Sequence, residues 1–114
     1  MVNNLDVALA ALADSHRRQV VELLRTGPHR AGELATATGL SGPALSRQLK
    51  VLRSSGLVQT ETADHDARLR IYTLRREPFL DLRRWLDEVE LFWTGQLGAF
   101  KAFAERKAGG GVLK

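Results

Sequence analysis

Apolar residues recur by threes and fours along most of the chain, with one stretch near the middle where the period drops to about two. Leu5, Ala8, Leu9 and Leu12 predict a short first helix that stops near Asp14. Asp14 suits the N-cap of a second helix over about 15–26, with Val20, Val21, Leu23 and Leu24 inward and Arg17, Arg18 and Arg25 among its outer positions. Gly27-Pro28 then stops it. A brief third helix over about 31–38 buries Leu34 and Ala35 and ends at Gly39, suited to a left-handed C-terminal residue. Ser41 caps a fourth helix with Pro43 in its first turn and Leu45, Leu49 and Leu52 as its apolar stripe, over by Gly56. From Leu57 the residues alternate: Val58, Thr60 and Thr62, then Leu69, Ile71 and Thr73, around a polar loop at 63–67, which predicts a two-stranded hairpin. After Pro78, Phe79, Leu82, Leu86, Val89, Trp93, Leu97 and Phe100 predict a helix of about 25 residues to near Glu105, its stripe widened by Trp85, Phe92 and Phe103.

Composition narrows the class. The 44% apolar and 26% charged fractions of these 114 residues are those of an ordinary globular protein, and the length is one domain's worth. The expected domain is 1–107, with a glycine-rich flexible tail over 108–114. A chain this short buries about two thirds of the surface its unfolded form exposes, so association is a natural source of further stability. The longest apolar run, Val7 to Ala13, is far below a membrane span, and Asp6 with no basic segment before it does not read as a signal peptide. Residence in the cytoplasm, on the nucleoid, is the expectation. The absence of cysteine excludes disulfides, thiolate metal sites, iron–sulfur clusters and cysteine nucleophiles together.

Two short helices joined through Thr38-Gly39-Leu40-Ser41 and followed by a hairpin form the order of a winged helix-turn-helix. The fold expected is mainly α with a small β-hairpin: about five helices and a two-stranded wing. The formal charge of +4 and pI near 10.1 acquire a location in this frame. Between His16 and Arg53 stand seven basic and two acidic residues, a net +5, on the segment that meets DNA in such a fold.

The residues also carry a resemblance. Leu12-Ala13-Asp14 with Arg17-Arg18, then Gly32-Glu33-Leu34-Ala35, then the run from Pro43 to Arg53, then Gly56-Leu57-Val58, resemble the ArsR-type bacterial repressors over about residues 5–100. The resemblance implies a homodimer bound to double-stranded DNA at an operator of roughly twofold symmetry, repressing by occupying a promoter.

On the fourth helix the leucine stripe leaves Pro43, Ser46, Arg47 and Lys50 on the outer side, with Gln48 at the flank. A recognition helix offers its N-terminal half to base edges, where Arg reads guanine and Gln reads adenine with two hydrogen bonds. Arg47 and Gln48 are the base-reading candidates. Ser41 and Ser46 suit phosphate at the positive end of the helix dipole, and Lys50 and Arg53 suit the backbone. Arg68 and Arg70 on the wing are further candidates, opposed by Asp64 and Asp66 at its tip. Gly42 and Gln48 depart from the resemblance, since many relatives carry glutamine at the first position and histidine at the second.

Metal-sensing relatives use cysteines around the third helix or Asp, His and Glu on the last helix. Here Gly32 to Gly39 contains neither Cys nor His, and the last helix has Asp81, Asp87, Glu88 and Glu90 without histidine. His16, His29 and His65 lie 13 and 36 residues apart, which is not a chelating spacing. No metal site and no cofactor are expected. The aromatic stripe of the last helix reads as an interface more than as an effector pocket. Leu5, Leu9 and Leu12 are expected to join Leu82, Trp85, Leu86, Val89, Phe92, Trp93, Leu97 and Phe100 in a homodimer contact. No phosphate loop or nucleophile elbow points to an enzyme. The releasing signal stays open, a small-molecule effector included. The competing reading is a winged-helix protein-interaction module whose basic face is incidental.

Overall fold

The computed structural model describes residues 4–63 and 66–107. The elements in chain order are α1 (Asn4–Leu12), α2 (Ser15–Leu24), β1 (His29–Arg30), α3 (Ala31–Thr38), α4 (Gly42–Ser54), β2 (Val58–Ala63), β3 (Asp66–Leu74) and α5 (Arg76–Lys107). They fall into two compact units, Met1–Leu82 and Arg83–Lys114.

Local chemistry sets the boundaries in the first unit. The Asp14 carboxylate accepts from the backbone N–H groups of His16 at 2.9 Å and Arg17 at 3.1 Å, satisfying two donors that the first turn of α2 cannot satisfy itself. Ser41 Oγ accepts from the Ala44 N–H at 3.2 Å and caps α4 in the same way. Between α3 and α4, Gly39 takes φ +73°, the left-handed region that favours glycine, while its N–H bonds Ala35 O at 2.9 Å. Thr38 Oγ1 donates to Leu34 O at 2.7 Å and accepts from Leu40 N at 3.3 Å, holding the same turn from the side-chain direction.

Four side chains, Val20, Leu34, Leu52 and Leu57, are the largest of those fully buried, and each comes from a different part of the unit. Burying such a side chain is worth about 1.5–3 kcal/mol relative to leaving it in water. Leu45, Leu49, Val58 and Tyr72 complete the contact between α4 and the sheet, with Phe79 at the start of α5 packed against this core. α1 turns Ala8 and Ala11 into the core, not its leucines: Leu9 stays exposed, while Leu12 packs against the core half-buried. Small side chains let α1 approach closely.

The sheet has three antiparallel strands in the order β1-β3-β2, one more than the hairpin expected from the sequence. β3 is central: Val58 faces Leu74 and Thr62 faces Arg70 on one side, while His29 faces Tyr72 and Arg30 faces Ile71 on the other. A two-residue strand has no period to detect, which is why the pattern did not announce β1. The β2 and β3 strands also reach to Ala63 and back to Asp66, narrowing the anticipated 63–67 loop. Asp64 and His65 lie outside the described residues.

α5 begins at Arg76, earlier than expected, and runs 32 residues. Pro78 reads as a boundary but stands in the first turn, where its missing N–H has no helical partner to lose. In the second unit α5 displays Trp85, Leu86, Val89, Leu91, Phe92, Trp93, Phe100 and Phe103 to solvent. The Phe92 and Trp93 rings meet edge to face, 6.4 Å between centroids. No helix among the described residues is long and apolar enough to cross a membrane.

Candidate nucleic-acid interface

α4 is divided by its own sequence. With Leu45, Leu49 and Leu52 inward, Pro43, Ser46, Arg47, Lys50 and Arg53 are all exposed, as is Ser41 at the cap. Among the described residues no ion pair engages Arg47, Lys50 or Arg53. The Ser41 oxygen is used in capping, but a hydroxyl also has a proton to donate, so the cap and a phosphate contact are compatible. A Cβ placed on Gly42 would meet nothing within 4 Å, leaving the first turn of α4 unobstructed.

The +5 segment is not presented uniformly. Arg17 and Arg18, expected on the outside of α2, are spent on the end of α1. Arg17 Nε donates to Ala11 O at 2.6 Å, and Arg18 Nη1 donates to Leu12 O at 2.8 Å and Ala13 O at 3.0 Å. The Ala11 and Leu12 carbonyls end α1 without a partner within their own helix and Ala13 follows them in the turn, which is what draws the two arginines back. Arg25 pairs with Glu22 at 2.8 Å. Arg30 stands exposed ahead of α3, and the largest group of outward cations in the segment is that of α4, Arg47, Lys50 and Arg53.

Gln48 stands apart from the other candidates. It is half-buried, and its Oε1 accepts from Arg17 Nη1 at 2.9 Å. The two-bond reading of adenine also uses that oxygen as an acceptor, so a base contact there would share it with Arg17 through its second lone pair. On the wing, Arg68 and Arg70 are exposed on β3. The side chain of Asp66 is outside what is described.

The fold adds a cation that sequence order does not place at the site. A shallow cleft of about 550 Å³ is lined by Lys50 and Arg53 of α4, Gln59 and Thr60 of β2, and Arg75. The Arg75 N–H bonds Leu57 O at 2.9 Å, which brings the end of β3 back against the start of β2 and so delivers Arg75 to α4. Only the strand register carries that information.

The remaining candidates are distributed as follows. Leu5 and Leu82 are half-buried, and Leu12 is partly buried. Leu9 of α1 and Trp85, Leu86, Val89, Phe92, Trp93 and Phe100 of α5 are exposed, Phe92 at 62% and Trp93 at 60%. The Leu97 side chain lies outside the description. Among the described residues there is no group of three or more His, Cys, Asp and Glu that could hold a metal ion. His29 is engaged locally, its Nε2 3.1 Å from Thr26 Oγ1 and its Nδ1 3.9 Å from Glu33.

Known proteins agree with this geometry. The family described as "Bacterial regulatory protein, arsR family" matches residues 14–60, which span α2 to β2. The HTH-type transcriptional regulator Rv2034 of Mycobacterium tuberculosis is 41% identical over 95 residues, covering 83% of this chain and 83% of its own. Among solved structures, an ArsR-like transcriptional regulator from Rhodococcus sp. RHA1 superimposes with a TM-score of 0.72 at 27% identity, covering 89% of this chain and 92% of that one. The ArsR family transcriptional regulator RHA00566 gives 0.71 at 30% identity, over 81% of this chain and 98% of that one. With the helix-turn-helix, the wing and the relatives in agreement, the chain belongs to the arsR family of bacterial DNA-binding transcriptional regulators.

Proposed function

We propose that this chain is a homodimeric, sequence-specific repressor that occupies a promoter at an operator of roughly twofold symmetry and does so without a metal. The observation that carries the reading is the outer face of α4: Arg47, Lys50 and Arg53 exposed with no ion-pair partner among the described residues, behind an open, capped N-terminus at Ser41 and Pro43. Arg47 is the base reader, by its fit to guanine O6 and N7, and Ser46 assists it. Ser41, Lys50 and Arg53 hold phosphates, with Arg68 and Arg70 reaching DNA from the wing. Two such helices related by a twofold axis enter successive major grooves about 34 Å apart.

The homodimer reading is supported by the solvent-facing aromatics of α5 and by the outward Leu9 of α1, since clustered exposed aromatics mark interaction surfaces. Within that dimer, residues 1–107 of each subunit act as one DNA-binding domain in the cytoplasm. Repression follows from occupancy, and no catalytic role is assigned.

A gel-shift series with DNA from upstream of the chain's own gene tests the reading. The expected result is a discrete complex that outlasts excess random DNA at about 150 mM salt, with a slope of log affinity against log salt of about −4 to −5 for four to six phosphate contacts per dimer. Added zinc or nickel is expected to leave the complex unchanged. Affinity equal to that for random DNA, at this and other promoters, would remove sequence specificity.

A further inference from the structure

One side chain behind the DNA-facing surface joins three helices. Arg17, in the first turn of α2, donates from Nε to Ala11 O at 2.6 Å, from Nη2 to Ala10 O at 3.3 Å and from Nη1 to Gln48 Oε1 at 2.9 Å. The two carbonyls belong to the end of α1, and Gln48 is in the middle of α4. A guanidinium has only donors, so the oxygen of the Gln48 amide is the atom that faces it, however the amide is built. The bond is charge-assisted and half-buried, conditions under which a hydrogen bond is at its strongest and most directional.

Direction matters here because the rest of the contact has little. Leu45, Leu49 and Leu52 fix how deeply α4 sits, but apolar burial is indifferent to small rolls of the helix about its axis. A side-chain tip on an α-helix lies about 5–6 Å from the axis, so a roll of about 20° carries it about 2 Å, enough to break a 2.9 Å hydrogen bond. The same roll would swing Arg47, about 100° round the helix on its outer face, by a similar amount.

We infer that Arg17 is a positioning residue for DNA binding: through Gln48 it keys the roll of the recognition helix α4 to the end of α1. The inference rests on the dimeric repressor reading above, in which α1 contributes to the subunit contact. Registering α4 against α1 in each subunit then registers the two recognition helices against each other. Gln48 serves as the receiver of that registration, and the operator senses it as a required half-site separation.

The experiment compares the full chain with Arg17→Met, Gln48→Met and the double substitution. Each is titrated on an operator of native spacing, on operators with one base pair added or removed between half-sites, and on random DNA. The wild type should favour native spacing by about tenfold or more. Arg17→Met should lose about five- to tenfold on the native operator and discriminate spacings by less than about threefold, with random-DNA binding unchanged. Gln48→Met should show the same loss of spacing discrimination, and the double substitution should lose no more of it than either single one. Gln48→Glu keeps an acceptor for Arg17, so it should retain the spacing preference; it also carries the test if Arg17→Met fails to fold. Full spacing discrimination in Arg17→Met, additive losses, or loss of discrimination in a folded Gln48→Glu overturns the inference alone. A wild type with no sequence selectivity removes the proposed function and this inference with it.

Discussion

At the scale of single residues, the positive charge of the chain separates into two jobs. Arg17 and Arg18 close α1, whereas Arg47, Lys50 and Arg53 face outward, so equal charges have unequal consequences for DNA. Arg47→Ala is expected to weaken specific binding by about 1–3 kcal/mol and relax preference at one base pair, whereas Arg53→Ala weakens all sequences alike. Parallel titrations on operator and random DNA check both; equal losses on the two DNAs for Arg47→Ala would take it off the base edge. Asp14 gives a pH prediction. The Arg17 backbone N–H, above all, holds its carboxyl below the ordinary value of 3.8, helped by the Arg17 charge and the His16 N–H against some desolvation. A lowered folded value means the carboxylate's contribution is full above that ordinary value and is lost as pH falls through the lowered one. The Tm advantage of the wild type over Asp14→Asn should therefore hold above about pH 5 and shrink as pH falls below the ordinary value of 3.8. A gap that stays constant or widens on acidification would contradict the assigned cause.

At the scale of elements, whatever has a period or a cap was legible from the chain. Asp14, Gly39 and Ser41 mark helix ends chemically, and the leucine stripe of α4 decides which residues face out, so α2, α3 and α4 lie close to where the pattern puts them. What escaped lacks a local signal. β1 is two residues paired to a strand on the far side of the helix-turn-helix, and Pro78 is ambiguous between a boundary and a first turn. The choice of Ala8 and Ala11 over the leucines on α1 depends on how closely α2 approaches, a tertiary quantity. The site divides the same way: the outer face of α4 follows from its stripe, but the withdrawal of Arg17 to Gln48 and the delivery of Arg75 to Lys50 depend on neighbours. Leu52 tests the core at this scale. It is fully buried on α4, and Leu52→Ala should cost about 2–5 kcal/mol of unfolding free energy by denaturant titration. A loss below about 1 kcal/mol would mean that α4 is held by something other than its stripe.

At the scale of the whole molecule, the exposed aromatics of α5 are where the proposed homodimer is tested. Placing a charge there, as in Trp93→Asp, should convert the proposed dimer to a monomer in light scattering and abolish operator binding, with the cooperative unfolding of the remaining helices retained in circular dichroism. A dimer that survives the substitution would move the subunit contact elsewhere. The short strand β1 bears on how such a molecule meets its operator. Arg30 is at once the last residue of β1 and the cap of α3, and it lies opposite Ile71 in the central strand, so the base of the wing is laced to the entrance of the helix-turn-helix. A hairpin attached only by its ends would have to be immobilised when DNA arrives, at about 1–2 kcal/mol for each backbone residue fixed. Here the base of the wing is already immobilised when the chain folds, so the encounter with DNA is a docking of one prefabricated body, and the entropy of ordering the wing base falls on folding instead of on the lifetime of the complex.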